Sequence, residues 1–307
     1  MTIRPTLLTA IGVLAVATCG GAGASSEREM AMGLPATALA DITDTEWNAL
    51  ASRRIYFGHQ SVGRDIMQGV RRVLDANPSI PLRTIQADDP NSVEGPGFIE
   101  GQIGHNRQPE TKTADFLRAM RNGFAKDAAS IAMYKFCYVD VSTDTDPDQL
   151  FRHYEAAIGQ LQRQHPELTV VHFTLPLHLA SDGLREQART LLGRPTQIRL
   201  NMIRNRYNEL LRQRYGATAP VFDIALVEST RPDGTQAFTR YGGRKVFMLA
   251  PEWTYDGGHL TDAAQDHVAE RLLVFLATME TKESAAELDT STAATENRDN
   301  TVPRGRS

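Results

Sequence analysis

Ser61, Asp256 and His259 are the residues whose types and spacing could do covalent chemistry in this sequence. Ser61 lies in Ile55-Tyr-Phe-Gly-His-Gln-Ser61-Val-Gly63, where a short β-rich run stops at Gly58 and a segment of helical spacing begins after the serine. A hydroxyl placed there would stand at the carboxyl edge of a sheet, where helix amides can support negative charge on a tetrahedral intermediate. Asp256 and His259 lie three apart in Tyr255-Asp256-Gly-Gly-His259-Leu-Thr261, just before the last helical segment. A hydroxyl nucleophile needs a base to take its proton and a carboxylate to hold that base in the right tautomer. A D-x-x-H loop can supply both. Each motif also has a plainer reading: Ser61 as an ordinary helix N-cap, and the second motif as a turn with a solvated aspartate and a surface histidine.

The elements that must position these residues alternate between strand and helix. Short β-rich runs are expected at Arg54–Phe57, Leu82–Ala87, Ser130–Val141, Thr169–Thr174, Ala219–Asp223 and Lys245–Leu249. Helical spacing is expected at Val62–Leu74, Thr113–Met120, Pro147–Gln164, Thr196–Tyr215 and Thr261–Met279, with Pro147 well placed at a helix start. Between them Asp88–Glu110 reads as a long irregular stretch rich in Gly, Pro, Asp and Asn. The alternation predicts one α/β domain with a mostly parallel sheet and helices on both faces. Sites in such sheets lie at the carboxyl ends of the strands, where both motifs fall.

Together the two motifs resemble the SGNH/GDSL hydrolase family. The resemblance covers residues 53–279 in the right order and is most specific at Asp256-Gly-Gly-His259-Leu-Thr. It implies a three-layer α/β/α sandwich with a flavodoxin-like sheet, and ester hydrolysis or acyl transfer through an acyl-serine. It makes Ser61 the nucleophile, His259 the general base and then acid, and Asp256 its orienting carboxylate. It also asks for oxyanion donors, for which the Ser61 amide, Gly104 in preference to Gly101, and Asn106 are the candidates. The serine turn departs from the family's Gly-Asp-Ser, because His59 and Gln60 replace a single aspartate. The family's downstream asparagine is missing from Tyr138–Asp140. His59, Gln60, His105 and Asp140 are expected to line the site.

Other residues carry blander expectations. Cys137 in IAMYKFCYV reads as a buried strand thiol, and no intrachain disulfide is available to the domain. His172 reads as a core histidine, Lys135 as a structural lysine that snorkels to an edge or pairs with Asp140 or Asp115, and Trp253 and Tyr255 as packing residues or, less simply, a carbohydrate platform. No histidine pair has the usual helical spacing for a metal, and no cofactor is expected. The competing readings are a non-catalytic binding module of the same fold and a His/Asp metal-dependent hydrolase.

The two ends of the chain differ from its middle. Residues 1–24 carry Arg4, an apolar run Leu7–Ala17 and then small residues, the build of a secretory signal. Two processing routes are open: Ala22-Gly23-Ala24 reads as a small-residue cleavage site that would release a soluble protein, while Val16-Ala17-Thr18-Cys19 resembles a lipoprotein signal, which would tether the protein to a membrane through a lipidated Cys19. Residues 25–40 read as a linker and 41–280 as the domain. Residues 281–307, with no aromatic side chain, read as a disordered tail. The expected location is periplasmic or secreted. A net charge of −4 without a Lys/Arg block gives no reason to expect nucleic acid as a partner. A small-molecule or polysaccharide ester is the expected substrate.

Overall fold

The computed structural model describes residues 37–121, 123–180 and 196–279. The expected signal 1–24 with Cys19, linker residues 25–36 and the tail 281–307 lie outside the described residues.

Strand β1 (Arg54–His59) runs through the middle of the domain, and Ile55, Tyr56 and Phe57 are fully buried. Alternation along the strand sends neighbouring side chains to opposite faces. Tyr56 packs with Phe116 and Phe124 on one face. Phe57 starts an aromatic row through Phe173 and Phe222 to Phe275 on the other. A strand buried on both faces needs helical cover on both, and a near-continuous apolar run is the consequence.

The sheet has six parallel strands in the order β2-β3-β1-β4-β5-β6. These are β2 (Thr84–Gln86), β3 (Gly97–Gln102), β1, β4 (Ser130–Tyr134), β5 (Thr169–Phe173) and β6 (Val221–Phe222). With the edge strand β2 set aside, the order is the flavodoxin-like 2-1-3-4-5, whose direction reverses at β1. Helices α1 (Asp44–Ala51), α2 (Val62–Ala76) and α7 (Asp262–Thr278) cover one face. Helices α3 (Pro109–Ala119), α4 (Pro147–Gln164) and α5 (Gln197–Tyr215) cover the other, around the cluster that includes Tyr134, Tyr154 and Tyr207. Among the described residues this is a three-layer α/β/α sandwich. A short helix α6 (Ile224–Ser229) follows β6, and β7 (Phe238–Tyr241) and β8 (Arg244–Phe247) form a separate antiparallel hairpin.

Local sequence accounts for most element boundaries. The Asp146 carboxylate accepts from the amides of Asp148 and Gln149, and Pro147 opens α4 without wasting a donor. Thr261 caps α7 by accepting from the Ala264 amide. Three expectations are corrected. The stretch Asp88–Glu110 is not all irregular, since β3 lies within it beside β1. The strand expected over Ser130–Val141 stops at Tyr134, and Tyr138–Asp140 is a helical turn. The strand expected at Lys245–Leu249 belongs to the hairpin rather than to the main sheet.

Helices α2 and α7 matter most for the site, because one follows Ser61 and the other follows His259. They pack against each other at Gly69, where a Cβ would lie 2.2 Å from the Gln265 carbonyl oxygen. Arg72 locks the pair by donating to Asp266 Oδ1 at 2.7 Å, Gln265 Oε1 at 3.0 Å and the Asp262 carbonyl at 3.2 Å. The two catalytic candidates, nearly two hundred positions apart in the chain, are thereby carried on one rigid helix pair.

Candidate active site

Ser61 occupies the turn between β1 and α2 with φ 44° and ψ −107°, a conformation that a non-glycine residue holds only when its surroundings impose it. Its hydroxyl makes no N-cap bond to α2. The ordinary N-cap reading therefore fails, and the side chain is turned out of the helix end. Gly63 lets the turn close. A Cβ there would sit 2.3 Å from the Cβ of the buried His59. Alanine would gain about 1 kcal/mol of helix propensity, while overlap with a fixed core side chain costs about 1–3 kcal/mol. Gly63→Ala is expected to lower the melting temperature measured by circular dichroism.

Ser61 Oγ lies 2.6 Å from His259 Nε2, and His259 Nδ1 lies 2.6 Å from Asp256 Oδ2. The other carboxylate oxygen of Asp256 accepts from the amides of Gly258 and His259, each at 2.8 Å. Partial burial works against the Asp256 anion, but hydrogen bonds from the imidazole and these amides outweigh it and hold its pKa at about 2. An ionised carboxylate on Nδ1 keeps the proton there and leaves Nε2 as acceptor for the serine hydroxyl. The loop is held by Thr254 Oγ1, which donates to the His259 carbonyl at 2.7 Å, and by Asp65, which accepts from the Leu260 amide at 3.2 Å. Tyr138 meets the His259 ring edge-on at 5.9 Å. Tyr255 lies nearly parallel to that ring at 6.2 Å and is 71% exposed. Trp253 instead packs on His267 and donates to the Thr230 carbonyl.

The oxyanion candidates fare differently. No acceptor takes the Ser61 amide among the described residues. The Gly104 amide is corrected as a donor to substrate, because it already donates to Asp115 Oδ2 at 2.8 Å. Asn106 lines the same open groove as Ser61 and His259, a space of about 740 Å³. Its Oδ1 accepts from Lys112 Nζ at 3.0 Å. Lysine only donates, so this contact fixes the amide with Nδ2 free to donate elsewhere.

Of the residues expected to line the site, Gln60 does so, with its Nε2 donating to the carbonyls of Ile103 and Gly104. His59 does not. It is 3% exposed and its Nε2 meets Glu100 Oε2 at 2.7 Å, beneath a neighbouring cavity. Burial, followed by Lys135, Arg64 and Arg71, pushes its pKa down to about 3, so its ring is neutral. His105 is exposed and does not border the groove, its amide donating to Thr111 Oγ1. Asp140 is buried behind Asn106, where its carboxylate accepts from Lys112 Nζ at 2.5 Å and from the amides of Arg107 at 2.8 Å and Cys137 at 2.7 Å. Lys135 is buried with Nζ 3.4 Å from the Gln60 carbonyl, and its expected partner Asp140 is taken by Lys112. Cys137 is a buried thiol and His172 a core histidine bonded to the Tyr154 hydroxyl.

Lys112, Arg64 and Asp65 were not anticipated. Lys112 had a signal: it shares the buried stripe of α3 with Phe116 and Ala119, a place no lysine takes without a partner. Among the described residues no group of three or more His, Cys, Asp or Glu side chains converges as a metal site.

No protein-family model matches the chain, and no curated protein matches it. Solved structures do. A GDSL-like lipase from Bacteroides thetaiotaomicron is 11% identical with a TM-score of 0.43, over 83% of this chain and 97% of that one. A member of the lipolytic protein G-D-S-L family from Veillonella parvula is 14% identical with a TM-score of 0.43, over 74% and 99%. An acetylxylan esterase from Geobacillus stearothermophilus, crystallised as a catalytic mutant, is 11% identical with a TM-score of 0.39, over 75% and 96%. Likeness at this level says nothing of activity. The strand order, with Ser61 after β1 and the Asp256/His259 loop before α7, is that of a flavodoxin-like three-layer α/β/α sandwich.

Proposed function

We propose that the chain is an exported serine hydrolase that cleaves or transfers an ester-linked acyl group of a carbohydrate or lipid through an acyl-serine intermediate. The observation that carries this reading is the unbroken chain Ser61 Oγ–His259 Nε2 and Nδ1–Asp256, each contact 2.6 Å. Ser61 Oγ attacks the acyl carbonyl carbon while its proton passes to His259 Nε2. The tetrahedral oxyanion accepts from the Ser61 amide and Asn106 Nδ2. Collapse expels the alkoxide, which takes the proton from His259, and the acyl group stays on Ser61. Water, or the hydroxyl of an acceptor, then repeats the sequence and frees the serine. The groove is open and bordered by Gln60, Gln68, Asn106 and Gln265, which suits a short acyl group on a hydroxylated carrier.

A fluorophosphonate probe is expected to label the purified protein at Ser61, and to leave Ser61→Ala unlabelled. No labelling of the parent would favour the non-catalytic binding module, a reading to which the engaged Gly104 amide lends some support. Labelling that persists in Ser61→Ala would move the nucleophile elsewhere, and ester turnover abolished by a chelator would favour metal-dependent hydrolysis.

A further inference from the structure

A second cavity of about 390 Å³ adjoins the groove of Ser61 and shares Arg64 and Gln68 with it. Both cavities lie along α2. From Ser61, residues 64, 68 and 71 fall on one side of the helix at spacings of three and four, and ten residues of helix span about 15 Å. The second cavity opens between this face of α2 and the carboxyl ends of β2 and β3, where Gln86 and Gln102 form its wall. A substrate reaching from one to the other would be longer than a single sugar ring.

Charge separates the two cavities. Asp65 and Asp262 border the first and not the second. In the second, Arg64 and Arg71 face a single carboxylate, Glu100. That carboxylate is already used on both oxygens, one by Arg71 and the other by His59 Nε2 at 2.7 Å. Nothing among the described residues pairs with Arg64. Asp88 stands outside the cavity, where its carboxylate accepts from the Gln102 amide at 2.8 Å. His59 beneath adds no charge, because burial first, and then the cations Lys135, Arg64 and Arg71, hold its ring neutral. Glu100 leaves most of the Arg71 donors unused, and those of Arg64 are all unused. A guanidinium in this position matches the two oxygens of a carboxylate.

We infer that this second cavity is a subsite for a carboxylate-bearing unit of an oligosaccharide ester, with Arg64 as the residue that bridges it to the reacting serine. The inference rests on the serine-hydrolase reading for the identity of the first groove, but the binding it predicts does not depend on turnover. Gln102 and Gln86 would read the hydroxyls of the acidic unit, and Arg71, held in place by Glu100, its charge.

Calorimetry with trigalacturonate and with its neutral methyl ester tests this directly. The acid is expected to bind at least about tenfold more tightly, the gain of one charge-assisted contact, and the preference should shrink as salt rises. Gln102→Glu places a negative charge at the exposed wall without removing any buried partner, and is expected to abolish the preference. Arg64→Gln should abolish the preference as well. Equal binding of acid and methyl ester, or a preference that survives both variants, would overturn the subsite. Preferential binding of the acid by a protein that hydrolyses no ester would leave the subsite standing and overturn the hydrolase instead.

Discussion

His259→Ala is expected to lower kcat for a soluble aryl ester by roughly 10⁴- to 10⁶-fold with little change in KM, the loss typical when one member of a catalytic unit is removed. Ser61→Ala should cost about as much, and the double variant little more than either alone, because the two act as one proton-transfer unit. Asp256→Asn is expected to lose about 10⁴-fold. The asparagine amide would favour the wrong imidazole tautomer and turn a donor toward Nδ1. Stability should follow a different course. Asp256 is depressed from 3.8 to about 2 by its bonds to the imidazole and two amides, against a smaller opposition than those bonds together supply. A depressed carboxylate stabilises the fold fully above its unfolded pKa, and that contribution is lost as pH falls through the folded value. The difference in melting temperature between parent and Asp256→Asn is therefore expected to be level above about pH 4 and to vanish only toward pH 2. Any acidic limb of the rate profile nearer neutrality then belongs to a group other than Asp256. Stopped assays of p-nitrophenyl acetate hydrolysis and thermal denaturation across pH check both statements.

The sequence disclosed the fold wherever one residue type has one physical use. Asp146 followed by Pro147 announces a helix start, and α4 begins there and ends at Gln164. The apolar stripe after Ser61 announces α2, and Thr261 announces α7. It concealed β3 because that strand holds two glycines and Glu100, and only tertiary partners, His59 and Arg71, make a buried glutamate tolerable. It overstated β4 because Phe136, Cys137 and Val141 stay buried after the strand ends, and burial, not strand pairing, is what an apolar run reports. The site divides in the same way. Asp256 and His259 are three apart, so their contact could be read locally, whereas the approach of Ser61 depends on Gly69 and Arg72 clamping two helices. His59 looked like a site residue because it adjoins the serine, but the strand's alternation turns it under the sheet edge toward Glu100. Gly104 lost its assigned role to Asp115, a partner one helix away that no local pattern marks.

Asn106→Ala is expected to reduce kcat by about 10²- to 10³-fold, as for the loss of one oxyanion donor, and the more informative result concerns the residue behind it. Lys112 is fully buried, and its ammonium bonds Asn106 Oδ1 at 3.0 Å and Asp140 Oδ2 at 2.5 Å. Asp140 in turn holds the Arg107 and Cys137 amides, which flank the asparagine and the end of the central strand. The ammonium both orients the amide and polarises it, drawing charge to Oδ1 and leaving Nδ2 a stronger donor toward a developing oxyanion. Lys112→Met alone strands the Asp140 charge and is expected to cost about 3–5 kcal/mol of stability, so a loss of activity in that variant would be ambiguous. Removing both charges, as Lys112→Met with Asp140→Asn, spares the fold most of that penalty. That variant is expected to lose kcat with KM unchanged, by an amount close to Asn106→Ala. If Lys112 acts through Asn106, removing the ion pair in the Asn106→Ala background will lower kcat no further. A further drop there as large as in the parent would show that the buried pair supports the site as scaffold only. The cycle thus separates a lysine that tunes a hydrogen-bond donor from one that merely fills the core.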